Sequence, residues 1–235
     1  MTEPGKLDYE PRSEARGWLR DEIAYVAPMA VFLTCVWVGT TWKSLYAPAY
    51  VARAIIVAVL LLLFWRNYTK VRWNHWWLGV IGGVVGIVQW IVMQQWLGSH
   101  FEWFKPDADA FNPFAAIGNP ATAWAFVAVR VASAVLIVPV MEELFWRDYL
   151  WRQILAPNDF KLAEVGEFDW TAFIVVALAF ATVHGSWWPT AIVWGAMIGL
   201  LLVYTKSLGA CMIMHGVTNL LLAAYVLKYH AWYLW

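Results

Sequence analysis

Two carboxylates stand side by side in the run Glu142-Glu143-Leu144-Phe145-Trp146-Arg147, which joins directly onto the largely apolar segment Ala121–Met141. Insertion of an acidic residue at mid-bilayer costs roughly 2.5–3.5 kcal/mol, so an ionisable group kept in such a segment is a functional hypothesis by default. Glu143 and Arg147 are four residues apart and meet on one helix face, with the acid on the favourable N-terminal side. Glu142 points ~100° away from Glu143, given 3.6 residues per turn. It shares its face with Val138, Phe145, Trp146 and Tyr149. One acid thus has a structural partner, and the other is left in aromatic company where a general acid or base can work. The competing reading is a solvated acid pair at an interfacial helix end.

Two later apolar segments carry polar islands. His184 stands alone, whereas His215 has Asn219 four residues on, placing imidazole and carboxamide on one face. Such a pair can donate hydrogen bonds to a developing oxyanion, or serve as a polar contact between membrane helices. His75, His100 and His230 fall at loops or termini and read as interfacial. Cys211 can share the His215 face but is expected simply to pack. Arg130, in mid-span, either pairs with an acid or accepts a substrate carboxylate, and structural pairing is the favoured expectation.

The elements that must position these groups are membrane helices. Of 235 residues, 62% are hydrophobic and 14% charged, and the mean hydropathy is +0.58. That is not a soluble globular composition. The 19 Trp residues suit the membrane–water interface, and many stand at segment ends, such as Trp76, Trp77, Trp187 and Trp188. A helical span needs about 20 mostly apolar residues. Seven candidates follow: Ile23–Trp42, Tyr50–Trp65, Trp76–Leu97, Ala121–Met141, Thr171–Trp187, Pro189–Tyr204 and Leu208–Tyr225. The expected fold is an all-α polytopic transmembrane bundle of about seven spans, possibly eight helices. The fourth span is expected to continue as helix through Leu155, with Pro139 placed to kink it. Residues 1–22 form a polar N-terminal segment, and residues 23–235 one transmembrane domain with its catalytic part at about 121–225.

Loop charge suggests the orientation. Arg66, Lys70, Arg72, Arg147, Arg152, Lys161 and Lys206 flank the even-to-odd and later connections, while the stretch from Gly98 to Pro120 carries Glu102, Asp107 and Asp109 against Lys105. The positive-inside rule then makes the N-terminus and the basic loops cytoplasmic. Arg53 and Lys43 dissent. Gly195 with Gly199, and Gly82 with Gly86, form GxxxG pairs that favour close packing within the chain over dimerisation. Cys35 and Cys211 read as buried thiols, not a disulfide. No basic tract suggests nucleic acid.

Depth checks whether the polar groups can meet. At ~1.5 Å per residue His215 lies about 13 Å beyond Lys206, and Glu142 about 13 Å from the same side. His184 is deeper, about 20 Å from Trp170 on the same rise, so tilt must close the gap.

Glu142-Glu143-x-x-x-Arg147, Phe180-x-x-x-His184 and His215-x-x-x-Asn219 together resemble the successive motifs of the CPBP (CAAX-processing and bacteriocin-processing, or Abi) family of intramembrane proteases. The resemblance covers about Val131–Leu221 and leaves the first three spans without a motif. It implies a helical bundle with a cavity opening to the cytoplasm, in the plasma (inner) membrane. It further implies that Glu142 and His184 activate the attacking water. His215 and Asn219 would stabilise the oxyanion, and Glu143 with Arg147 would support the site. A hydrophobic or lipidated peptide in the bilayer is the implied substrate. Glutamate-activated water without a metal is the favoured chemistry, so no cofactor is expected. Zinc held by Glu142, His184 and His215 is the alternative, although no HExxH motif supports it. No GxSxG elbow and no intramembrane aspartate pair is present. From a different class, a non-proteolytic scaffold or immunity/sorting protein of the same fold would tolerate loss of Glu142.

Overall fold

The computed structural model describes residues 11–105 and 110–235, with side chains from Arg20 onward. Asp107 and Asp109, which entered the orientation argument, lie outside the described residues. Among those described, the chain is helical without strands. Helix α1 spans Pro11–Thr41, α2 Tyr46–Leu63, and α3 Trp76–His100. A continuous fourth helix, α4, runs over Pro120–Leu155, and is followed by α5 (Trp170–Thr182), α6 (Trp188–Thr205) and α7 (Leu208–Tyr229). Six of these segments are long and apolar enough to cross a membrane, and α5 is the shorter seventh.

The fifth expected span therefore ends early. The sequence predicts it over Thr171–Trp187, but helix stops at Thr182 and the chain turns through His184–Trp187 before α6 begins. Gly185 takes a φ of +55°, which side chains with a Cβ rarely adopt, and Pro189 sits in the first turn of α6, where its missing N–H costs no bond. His184 is consequently a turn residue at the tip of the α5–α6 hairpin, and no tilt of a full span is needed to bring it inward.

The basic loops gather at one end. Asn74 donates to the Thr205 carbonyl at 3.0 Å, and Ser207 to the Arg72 carbonyl at 2.7 Å. Lys161 pairs with Asp21 at 2.5 Å, Lys206 donates to the Gly166 carbonyl, and Arg152 is ion-paired to Asp148. Asp148 also accepts from the Tyr25 hydroxyl at 2.8 Å, tying α1 to α4 below the acid pair. The C-terminal ends of α1 and α3, the α5–α6 turn and the C-terminus lie toward the other end.

Small residues set how closely α7 approaches. A Cβ on Gly83 would lie 2.6 Å from Val217 Cβ, one on Gly86 2.9 Å from Thr218 Oγ1, and one on Gly79 would collide with the Ala210 carbonyl. The glycine face of α3 thus seats α7 at backbone contact, as small residues do between membrane helices. Gly195 and Gly199 pack on Ala177, Phe180, Phe173 and Trp151 of the same chain, as expected of packing within the chain. Cys211 is buried with its thiol toward the Ile198 carbonyl, and neither cysteine is in a disulfide.

Candidate active site

Helix α4 is not uniformly α-helical around the acids. Ser133–Ile137 and Leu144–Leu150 are π-helical, and the short α-helical stretch Val138–Glu143 between them carries both glutamates. Wider π turns free backbone carbonyls and re-aim side chains, which is why they recur at functional sites. Pro139, the expected kink, has no N–H to offer the carbonyls of the turn before it, which leaves acceptor capacity there for other donors. Helix α7 answers both openings. Asn219 Nδ2 donates to the Ala134 carbonyl at 2.7 Å. Gly216 passes so close to the Val135 carbonyl that a Cβ there would sit 2.9 Å from its oxygen.

That approach brings His215 onto the acid pair. Its Nδ1 lies 2.8 Å from Glu143 Oε1, and Arg147 Nε lies 3.3 Å from Glu143 Oε2. Glu143 and Arg147 are fully buried and His215 nearly so. Glu143 is therefore more than the partner of Arg147: it links Arg147 to His215. A carboxylate accepts only, so His215 Nδ1 is the donor and its Nε2 is turned to other use. Arg147 is further held over the Phe180 ring at 4.7 Å, and Trp194 packs edge-on to His215 at 4.8 Å and stacks on Phe180 at 5.5 Å.

Glu142 points elsewhere, as the ~100° step between neighbouring helical residues requires. It lines a cavity of about 170 Å³ together with His184, His215 and Asn219. All four residues singled out in the sequence thus face one space. Glu142 Oε2 is buried and has no hydrogen-bond partner among the described residues, and a buried acceptor left in that condition calls for a water, ion or substrate group. At the tip of the hairpin, His184 Nδ1 is 2.7 Å from the Phe180 carbonyl. The carbonyl can only accept, so Nδ1 carries the proton and the neutral ring keeps its Nε2 lone pair free. Phe180, at 4.2 Å, and Trp90, at 5.8 Å, hold the imidazole between them.

Trp90, Trp194, Thr218 and Leu222 also line the wall, and no motif announced them. Thr218 Oγ1 shares its proton between the Met214 carbonyl of its own helix at 2.9 Å and the Gly83 carbonyl of α3 at 3.2 Å, and accepts from Trp194 Nε1 at 3.4 Å, so it brings α3, α6 and α7 together beside the cavity. The adjacent glycines of α3 were the available signal. Arg130 departs from expectation. No acid pairs with it among the described residues. Its Nη1 instead donates to the Tyr46 hydroxyl at 2.6 Å, and its guanidinium lies over Tyr50 and Trp235.

Among the described residues no group of three or more His, Cys, Asp or Glu is arranged to hold a metal ion.

Residues 120–221 match the family model described as Rce1-like, type II CAAX prenyl endopeptidase Rce1-like. The match spans α4 to α7 and contains Glu142, Glu143, Arg147, His184, His215 and Asn219, in agreement with the resemblance carried by the three motifs. It supports a CAAX-type intramembrane protease in general. No curated protein and no solved structure matches the chain.

Proposed function

We propose that the protein is an intramembrane endopeptidase that cleaves a hydrophobic or lipidated peptide near its C-terminus through water activated by Glu142. The observation that carries this reading is the buried, unpartnered oxygen of Glu142 facing a cavity shared with His184, His215 and Asn219. A water in that space meets two acceptors, the Glu142 carboxylate and His184 Nε2. Glu142 takes a proton as the oxygen attacks the scissile carbonyl, His184 orients the nucleophile, and Glu142 passes that proton to the leaving amine as the C–N bond breaks.

Charge counting supports the complementary role of His215 and Asn219. With Glu142 and Glu143 ionised, Arg147 charged and His215 an imidazolium, the cluster is neutral. His215 then donates through Nδ1 to Glu143 and presents Nε2–H to the cavity. When Glu142 accepts the proton from water, the cluster gains one positive charge as the substrate oxygen gains one negative charge. Donors fixed in place before that charge develops stabilise the transition state more than the ground state. The remaining N–H of Asn219 is the second donor. Its first is anchored on Ala134, which keeps the carboxamide from rotating away.

The basic end is assigned to the cytoplasm, in keeping with the positive-inside rule, in an integral protein of the plasma (inner) membrane. The test is to compare C-terminal peptides of membrane proteins from cells expressing wild type or Glu142→Gln at matched levels. C-termini that appear only with wild type support the peptidase. Identical peptide sets from two well-folded proteins would favour a non-proteolytic scaffold.

A further inference from the structure

A second cleft, of about 450 Å³, adjoins the catalytic cavity, and His184 and Trp187 line both. It opens toward the end of the bundle opposite the basic loops, between the α1–α2 turn and the C-terminus, so this mouth faces away from the cytoplasmic side on which the resemblance placed the opening. Two arginines project into it, Arg53 and Arg130. Arg130 is only 6% exposed, and neither arginine has an acidic partner among the described residues. Both rest on one ring: the guanidinium carbons lie 3.7 Å and 4.9 Å from the centroid of Tyr50, so the two cations are no farther apart than the sum of those distances. Arg53 Nε is buried and unbonded. The Tyr46 hydroxyl, which accepts from Arg130, keeps its own proton to donate. Two like charges gathered in a low-dielectric wall with no carboxylate in ion-pair contact are costly, and intramembrane arginines default to functional sites with a partner to be named.

We infer that Arg53, Arg130 and the Tyr46 hydroxyl form a subsite for the C-terminal carboxylate of the peptide whose hydrolysis is proposed above. A guanidinium matches a carboxylate in a two-pronged hydrogen-bonded fork. A peptide terminus is favoured over a lipid headgroup because the cleft continues past His184 into the space that Glu142 faces. Along α4, Arg130 precedes Glu142 by about 18 Å at 1.5 Å per residue. An extended chain covers ~3.3–3.6 Å per residue, so the scissile bond lies within about five residues of the terminus. The terminus points toward the end opposite the basic loops. Gly185, whose Cβ would meet no atom within 4 Å, leaves the floor of this path open.

The subsite rests on the peptidase reading, and a binding measurement separates the two. The probe is a dansyl-labelled hydrophobic decapeptide, with either a free carboxylate or a C-terminal amide, titrated into Glu142→Gln protein in phosphatidylcholine nanodiscs and read by energy transfer from tryptophan. The carboxylate form is expected to bind at least about tenfold more tightly, equivalent to ~1.4 kcal/mol. Arg130→Gln and, separately, Arg53→Gln should each reduce that ratio, with Arg130→Lys retaining part of it. Arg53 is half-buried, so its variant guards against a folding defect in Arg130→Gln. Equal binding of the two peptides overturns the inference. So does loss of the preference when phosphatidylglycerol is added to the discs, which would make an anionic headgroup the occupant. A preserved preference with no cleavage by wild type would count against the peptidase and leave the subsite standing, whereas equal cleavage of both peptides would do the reverse.

Discussion

Replacing Glu143 with glutamine keeps the shape of the side chain and removes one negative charge from the centre of the site. Arg147 and Glu143 have no exposed surface, and the imidazole of His215 is only 6% exposed, so water cannot take over as counter-charge. Removing one partner of a buried pair costs about 3–5 kcal/mol, chiefly for the charge left behind. At ~2–4 °C per kcal/mol for a chain of this size, Glu143→Gln should melt about 6–20 °C below wild type. The second half of the argument concerns activity. Adding Arg147→Met to Glu143→Gln removes the stranded cation, so the double variant should regain most of the lost melting temperature. It should remain impaired, because an uncharged amide oxygen holds His215 Nδ1 less strongly than the carboxylate does. Thermal unfolding in detergent followed by tryptophan fluorescence, and cleavage of an identified substrate, read the two effects separately. A single variant that melts with wild type, or a double variant that recovers activity along with stability, would refute the reasoning.

Asn219→Ala removes one oxyanion donor and should lower kcat by about 10²–10³-fold with KM little changed; a change in KM alone would assign Asn219 to binding. Gly216→Ala forces a Cβ to within 2.9 Å of the Val135 carbonyl, and overpacking of this kind costs about 1–3 kcal/mol. It should lower both the melting temperature and activity by parting His215 from Glu143, an effect absent from Gly118→Ala, where a Cβ meets nothing within 4 Å. Incubation with 1,10-phenanthroline should leave cleavage unchanged, and inhibition reversed by added zinc would restore the metal alternative.

Much of this was legible in the sequence because membrane helices are written in long apolar runs and their polar exceptions are few. The spans and the four residues around the cavity were accessible that way. What was missed lies where tertiary structure breaks helical period. The α5 end at Thr182 depends on a left-handed Gly185 inside an otherwise unbroken apolar run, so the run looked like a full span. The bond from Glu143 to His215 crosses from α4 to α7, and i,i+4 spacing could reveal only the Arg147 half of it. Arg130 invited an acid partner by general expectation, but tyrosine rings of α2 and the ring of Trp235 surround it, and spacing within one helix carries no trace of them. The glycines of α3 stood in plain view. Their meaning needed the partner helix.

The most direct test of Glu142 as the group that activates water is to run the reaction in oxygen-18 water with purified protein and a substrate identified by the C-terminal peptide comparison. Mass spectrometry of the new C-terminal carboxyl should find one heavy oxygen per cleavage with wild type, and no product above background with Glu142→Gln, although the variant folds. Heavy-oxygen product formed by Glu142→Gln at the wild-type rate would contradict the account.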